Sequence, residues 1–241
     1  MMVHFNEIDS RAFGFPVLSI SDFDAEVRFA SFEQDYFAQY SPRYVSCKVP
    51  VGALADIHAL EAAGFRFVEV QITGDIPVRL SSVDSHPYWI ETVTVEPVLD
   101  EVLEIARTSF DLDRYTKDPQ IGPLLGGRRY QEYVRQSFAR EDEEVCRLVD
   151  PADGRTLLFK THRFTGPGKA VALLNAVRVD QKGSGIGIIA DSFYYNYLGG
   201  LGITKVTTSF SAEHRLIAQH LIGNLQMKVR ATFAILRKVY N

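Results

Sequence analysis

The chain has 241 residues, 46% of them hydrophobic and 23% charged, with a formal net charge of −4 at pH 7. This composition is typical of a soluble globular protein of one large or two small domains, and its negative charge argues against binding to a nucleic-acid backbone. No run of about 18 apolar residues predicts a membrane span, and the opening residues lack the features of a signal peptide. We therefore expect a cytoplasmic protein.

The cysteines and histidines give no metal signature. Cys47 and Cys146 are far apart in the sequence and each lies in a strand-like run. We expect both thiols to be reduced and buried. The six histidines are scattered, so no metal-ligand spacing is present and no metal is predicted. A homodimer is left open by the sequence.

Short β-prone runs and helical patterns alternate over the first third of the chain. The predicted strands are residues 15–20, 44–49 and 65–78, and the predicted helices are 24–40 and 53–63. Gly64 suits the position that ends the second helix. Ser, Asp and Pro gather in residues 81–89 and mark a boundary. We predict a small N-terminal α/β domain over residues 1–84 and a second domain over 85–241.

The second domain continues the alternation. Its predicted strands are residues 92–98, 143–150, 155–164, 169–179, 203–210 and 230–240, and its predicted helices are 99–110, 128–142, 185–198 and 211–222. Residues 111–127, punctuated by proline and glycine, are predicted to be a loop. The order predicts an α/β fold with a mixed sheet flanked by helices.

A glycine-rich stretch, Lys182-Gly183-Ser184-Gly185-Ile186-Gly187, joins an apolar strand to a helix. Glycines at such a point leave free amides at the positive end of the helix, which favours an anion such as phosphate. A tight turn with no ligand is the alternative. The stretch lacks the Gly-Lys-Ser/Thr ending of a P-loop, and no acidic residue ends the next strand as a dinucleotide site requires.

The same stretch resembles the acyl-CoA pyrophosphate loop of the GNAT superfamily of N-acyltransferases, whose pattern is [R/Q]-x-x-G-x-[G/A]. Lysine replaces the first residue of that pattern. The order of predicted elements over residues 90–238 is also similar to that of the superfamily.

A narrower resemblance extends to the N-terminus. The segment "IDSRAFGFPVLSI" is similar to the opening of the dTDP-fucosamine acetyltransferase-like branch, as is "LEAAGFRFVEVQITGDIPV" to the close of its N-terminal domain. The segments "SFDLDRYTKDP" and "YQEYVRQSF" resemble its acceptor-side loop and helix. The first domain also resembles a truncated copy of the second.

The resemblance implies an enzyme that transfers an acetyl group from acetyl-CoA to the amino group of a nucleotide-linked deoxy sugar. The loop residues Lys182 to Gly187 would hold the pyrophosphate. Backbone groups around Val177 and Val179, on a strand that splays from its neighbour, would bind the pantetheine arm. The acceptor would contact Arg114, Tyr115 and Asp118. Another small amine, an amino acid or a peptide is the alternative acceptor.

The catalytic acid departs from the family pattern. The superfamily's asparagine and tyrosine positions are occupied here by Ala212 and Gln219. A glutamine side chain cannot act as a general acid near neutral pH. The adjacent His220 is therefore the predicted acid, with a half-exposed surface histidine as the other interpretation. A decayed protein that binds CoA without turnover is the alternative function.

Overall fold

The computed structural model describes residues 1–24, 29–83, 87–111 and 113–240. Its strands are β1 (Met2–Phe5), β2 (Val17–Ser21), β3 (Tyr44–Pro50), β4 (Arg66–Pro77), β5 (Trp89–Thr92), β6 (Glu143–Val149), β7 (Thr156–Gly166), β8 (Lys169–Val177), β9 (Lys205–Ser211) and β10 (Lys228–Val239). They form one sheet in the order β1-β2-β3-β10-β4-β9-β8-β7-β6-β5. The pairs β2/β3 and β8/β9 are parallel and the others antiparallel, so the predicted mixed α/β class is confirmed.

The helices lie between these strands in the chain. They are α1 (Glu7–Phe13), α2 (Phe29–Tyr40), α3 (Leu54–Ala62), α4 (Glu96–Ser109), α5 (Arg114–Lys117), α6 (Gly122–Ala139), α7 (Ile186–Gly200) and α8 (Arg215–Ala218). A 3₁₀ turn (Val179–Gln181) precedes α7, and a π-helix (Gln219–Asn224) follows α8 directly. Over the described residues, no helix combines the length and apolar character needed to cross a membrane.

The last strand of the chain lies between two strands from its first third. Strand β10 pairs antiparallel with β3 and with β4, and β4 pairs antiparallel with β9. The sheet is therefore continuous across the predicted boundary between 1–84 and 85–241. Part of that boundary, residues 84–86, lies outside the described residues. The division into two domains stays a prediction.

Separate clusters of buried side chains cover different parts of the sheet. One joins Leu60 of α3 to the N-terminal strands and to Leu236 of β10. A second packs α4 against the sheet through Val102 and Phe159. A third holds α7 in place and includes Leu198. Because α7 is fixed along its length, the position of its N-terminus relative to β8 is fixed as well.

The predicted strand over 92–98 is wrong beyond Thr92. Strand β5 ends at Thr92, and α4 begins at Glu96 with Pro97 in its first turn. Proline is tolerated there because first-turn amides have no acceptor within the helix. The alternating Thr and Val residues before it imitate a strand pattern.

The predicted loop over 111–127 contains α5 and the first turns of α6. Two glycines inside α6 allow the helices to approach each other closely. A Cβ on Gly127 would lie 2.6 Å from the carbonyl oxygen of Arg107 in α4, and one on Gly126 would lie 3.0 Å from Oγ1 of Thr116 in α5. These glycines serve helix packing, which glycine content alone does not distinguish from a loop.

Candidate functional site

The glycine-rich stretch forms the turn that starts α7. Gly183 and Gly185 have φ of +81° and +82°, a left-handed conformation that favours glycine. A Cβ built on either would meet no atom within 4 Å, so the space beside them is open. Among the described residues, no hydrogen-bond acceptor faces the amides of Gly183, Gly185 and Gly187. The turn therefore presents unpaired N–H groups at the positive end of a 15-residue helix.

The other residues of this turn already have partners. Ser184 Oγ donates to the carbonyl of Gln181 at 2.7 Å and accepts from the amide of Ile186 at 3.2 Å. Lys182 Nζ lies 2.9 Å from Oδ2 of Asp111, and this contact lowers the pKa of the Asp111 carboxyl below its usual range. The serine thus stabilises the turn, while the lysine holds it to the segment before α5.

The parallel strands β8 and β9 diverge after three residues. Their pairing covers only Lys169 to Val171 of β8 and Lys205 to Thr207 of β9. Beyond it, within the described part of the chain, β8 pairs with β7 alone, over residues up to Val177. The predicted splay is thus present, and the free edge of β8 leads to the glycine turn. Val179 lies past the end of the strand, in the 3₁₀ turn, and its contact with a ligand stays a prediction.

Two ion pairs tie the diverging strands to one segment. Lys182, in the turn after β8, bonds to Asp111. Glu213, just after β9, bonds to Lys117 at the end of α5. The segment containing α5 therefore contacts both sides of the gap between β8 and β9.

His220 is held by a buried carboxylate. Its Nε2 lies 2.6 Å from Oδ2 of Asp191 in α7, and Oδ1 of the same carboxylate accepts from Lys160 Nζ of β7 at 2.6 Å. The other ring nitrogen, Nδ1, lies 3.2 Å from Nδ2 of Asn224. Only 13% of the His220 side chain and 7% of the Asp191 side chain are exposed. His220 is therefore a positioned histidine rather than a loose surface one.

The neighbouring Lys160 and His220 side chains favour an ionised Asp191 carboxyl. Burial alone would raise the pKa of the Asp191 carboxyl, but Lys160 and His220 together outweigh it and bring that pKa below its usual value. The carboxylate can thus accept from Lys160 and contact His220 at once.

A cavity of about 280 Å³ opens beside this histidine. Its lining comes from α7, the π-helix and the segment after β4, and comprises Pro77, Arg79, Leu80, Ser81, Ile188, Asp191, Ser192, Tyr195, His220, Asn224 and Leu225. The cavity lies along α7 on the same side as His220, so a ligand there can reach the imidazole.

The π-helix explains why the helical register misplaces His220. The predicted helix over 211–222 is in fact four residues of α8 and then a wider turn, with the amide of Leu225 bonded to the carbonyl of His220. His220 is the second residue of this π-helix, whose hydrogen bonds span five residues instead of four. Counting by α-helical turns therefore does not give the direction of the His220 side chain. Gln219, the residue before it, is exposed.

The predicted acceptor residues lie in α5 and directly after it. Arg114 and Asp118 line a cavity of about 160 Å³ together with Glu69, Lys117 and other residues of β4 and β10. Arg114 Nη1 contacts Glu69 Oε1 at 3.2 Å, and Asp118 Oδ2 accepts from Arg237 Nε at 2.8 Å. Positively and negatively charged side chains both line this cavity.

Tyr115 does not line this cavity. It is buried against α1, where its hydroxyl donates to Asp9 at 3.2 Å. Its predicted contact with an acceptor stays a prediction.

Sequence reasoning missed Asp191, the partner of His220, and Lys160, the second partner of Asp191. Asp191 is the one charged residue of "GIIADSF", and Lys160 follows three apolar residues in "LLFKTHRF". That pattern is the signal that could have identified them, because a charge on an apolar face needs a partner.

The structure also gathers three possible metal ligands that the spacing did not predict. Donor atoms of Glu144, Cys146 and His162 all lie within 4.8 Å of one another. Cys146 and Cys47 are both buried and free, which confirms the expected state of the two thiols.

The architecture is shared with solved N-acetyltransferase structures. A GCN5-related N-acetyltransferase from Sphaerobacter thermophilus is 16% identical with a TM-score of 0.64, over 98% of this chain and 76% of that chain. Another from Kribbella flavida is 14% identical with a TM-score of 0.61, over 94% and 82%. A tandem GNAT protein from the clavulanic acid biosynthesis pathway is 14% identical with a TM-score of 0.55, over 94% and 76%.

Neither a protein-family model nor a curated protein sequence matches the chain. At these low identities the likeness is one of fold. The chain has the fold of the GCN5-related N-acetyltransferases.

Proposed function

We propose that the protein is an acyl-CoA-dependent N-acyltransferase that moves an acetyl group from acetyl-CoA to a primary amine. One observation carries the proposal: the free edge of β8, where it diverges from β9, leads directly to a turn with three unpaired amides. An extended arm ending in a pyrophosphate fits this arrangement, with strand-like hydrogen bonds along β8 and phosphate oxygens at the N-terminus of α7.

The residues of the turn have separate tasks in this proposal. Gly183, Gly185 and Gly187 allow close approach and donate backbone hydrogen bonds, since no atom fills the space beside the first two. Lys182 supplies a positive charge, for which a bound pyrophosphate would compete with Asp111. The free edge of β8 up to Val177 would pair with the amides of the pantetheine arm.

The chemistry proposed is direct attack of a neutral amine on the thioester carbonyl. A C–N bond forms, the C–S bond breaks, the amine loses one proton and the departing thiolate gains one. Holding the amine and the thioester together supplies a large part of the rate. His220 is the proposed donor of the proton that the thiolate gains.

In this proposal the two ring nitrogens of His220 have different tasks. Nε2 is taken by Asp191, which would fix the orientation of the ring. The proton for the thiolate would then leave from Nδ1, which requires the side-chain amide of Asn224 to turn its oxygen, rather than its nitrogen, towards the ring. Asp191 acts here as a positioning residue because it contacts the histidine rather than the substrate.

The acceptor that we propose is the amino group of a nucleotide-linked deoxy sugar. The mixed charges around Arg114 and Asp118 support an acceptor that carries both anionic phosphates and an amine. We place the protein in the cytoplasm, in keeping with two buried and unpaired thiols.

Thiol release from acetyl-CoA with a panel of amines tests this function. Nucleotide-linked amino sugars should give the highest kcat/KM, and amino acids or peptides lower values. Titration calorimetry with acetyl-CoA separates two failures. Binding without thiol release would indicate a decayed CoA-binding protein, and no binding would overturn the acyltransferase proposal.

A further inference from the structure

Three donor side chains meet on the face of the sheet beneath α7. Glu144 of β6 and His162 of β7 are cross-strand partners, and Cys146 lies two residues along β6, which places it on the same face. Glu144 Oε2 lies 3.3 Å from His162 Nε2 and 4.0 Å from Cys146 Sγ. The site is separate from the glycine turn and from the cavity beside His220.

His162 lacks what a buried imidazole needs. Its side chain is 0% exposed, and neither ring nitrogen has a hydrogen-bond partner among the described residues. The 3.3 Å contact with Glu144 is close but lacks the direction of a hydrogen bond. Leaving a buried polar group unpaired costs about 1–3 kcal/mol. The hydroxyl of Tyr194, whose ring packs on His162, is also buried and unpaired.

We propose that Glu144, Cys146 and His162 bind a Zn²⁺ ion. Sulfur, imidazole nitrogen and carboxylate oxygen are the donors that zinc takes in proteins. With an ion at usual zinc distances from both atoms, the angle Glu144 Oε2–Zn–His162 Nε2 would be about 105°, close to the tetrahedral angle. The thiolate and the carboxylate together would neutralise the charge of the ion.

The surroundings suit such an ion. Tyr197 of α7 donates to Glu144 Oε2 at 2.7 Å, and Thr92 Oγ1 lies 3.0 Å from the same tyrosine hydroxyl. Outer hydrogen bonds of this kind orient metal-binding carboxylates. The Glu144 side chain is 26% exposed, which gives an entry path, and a water would complete the fourth position. The ion would act as a clamp that joins β6, β7 and, through Tyr197, α7.

Cobalt and zinc titrations of the chelator-treated chain test the site. Co²⁺ should bind at one ion per chain with the near-ultraviolet absorption of a thiolate–cobalt bond, and Zn²⁺ should displace it. Cys146→Ser should lose this absorption and the zinc. Cys47→Ser removes the other buried thiol and should keep both.

A second variant distinguishes loss of the metal site from misfolding. Glu144→Gln keeps the size of the side chain and an oxygen for Tyr197, and it should weaken zinc binding by tenfold or more at unchanged circular dichroism. Zinc should raise the melting temperature of the wild type and of Cys47→Ser. The proposal is overturned if the wild type takes up no cobalt with thiolate absorption, or if Glu144→Gln and Cys146→Ser bind zinc as the wild type does.

Discussion

Asp191 joins His220 to Lys160: its two carboxylate oxygens lie 2.6 Å from His220 Nε2 and from Lys160 Nζ. A single buried carboxylate therefore connects the sheet, α7 and the π-helix. The bond to Lys160 holds the carboxylate, and the carboxylate holds the imidazole ring. The orientation of the proposed acid thus depends on a residue of β7.

Replacing His220 tests its role as the acid. His220→Gln keeps a polar group for Asp191 but cannot donate a proton near neutral pH. We expect kcat to fall by about 10²-fold with the Kd of acetyl-CoA unchanged. His214→Gln, a histidine at the start of α8, serves as the control and should keep kcat. A His220→Gln enzyme with full kcat at every pH would exclude the histidine as the acid.

Asp191→Asn should destabilise the fold through Lys160. Removing one partner of a buried ion pair leaves the other charge uncompensated, which costs about 3–5 kcal/mol of unfolding free energy. The double variant Asp191→Asn/Lys160→Met should recover part of this loss. Urea denaturation of the three variants measures the effect. No recovery in the double variant would show that the loss does not arise from the buried lysine.

The pH dependence of the unfolding free energy should follow the protonation of the Asp191 carboxyl. Its pKa in the folded chain lies below the usual value of 3.8, so its contribution to stability is present above that value. The contribution is lost as the pH falls through the lower folded pKa. Urea midpoints from pH 7 to 3 should therefore fall more steeply below about pH 4 for the wild type than for the double variant. Parallel curves would contradict the assignment.

A side chain at Gly185 should block the pyrophosphate. Gly185→Val fills the open space beside the turn, and we expect at least a tenfold rise in the Kd of acetyl-CoA. The left-handed φ adds about 1–2 kcal/mol of strain. Gly202→Val is matched, because Gly202 has φ of +79° and open space at the other end of α7. It should lose similar stability and keep acetyl-CoA binding; equal binding by both variants would refute the loop assignment.

Releasing Lys182 from Asp111 should tighten acetyl-CoA binding. An exposed ion pair is worth about 0.2–1 kcal/mol, so Asp111→Asn should lower Kd by a factor of about 1.4 to 5 with little change in stability. Asp180→Asn is the control, since Asp180 lies near the turn but pairs with Arg155 and Arg178. If both variants tighten binding equally, the effect is one of net charge rather than of the released lysine.

The sequence predicted the elements whose patterns are local. The glycine turn before α7 and the strands on either side of it were found, because turn chemistry and apolar runs are properties of neighbouring residues. The buried contacts of Asp191 were missed, since it meets Lys160 and His220 only after β7, α7 and the π-helix have packed together. Gly126 and Gly127 led to a wrong loop prediction for the same reason. They allow α6 to contact α4 and α5, which residue type alone does not reveal.

The place of β10 between β3 and β4 has a consequence for synthesis. The chain is made from its N-terminus, so β3 and β4 leave the ribosome long before the strand that must lie between them. Until β10 emerges, each has an unpaired edge, and such edges invite pairing with another chain. Strand pairings this distant in sequence also form slowly. Truncation of the last strand would therefore damage the earliest part of the protein as well as the latest, and a nascent chain halted before residue 228 is a natural target for chaperones.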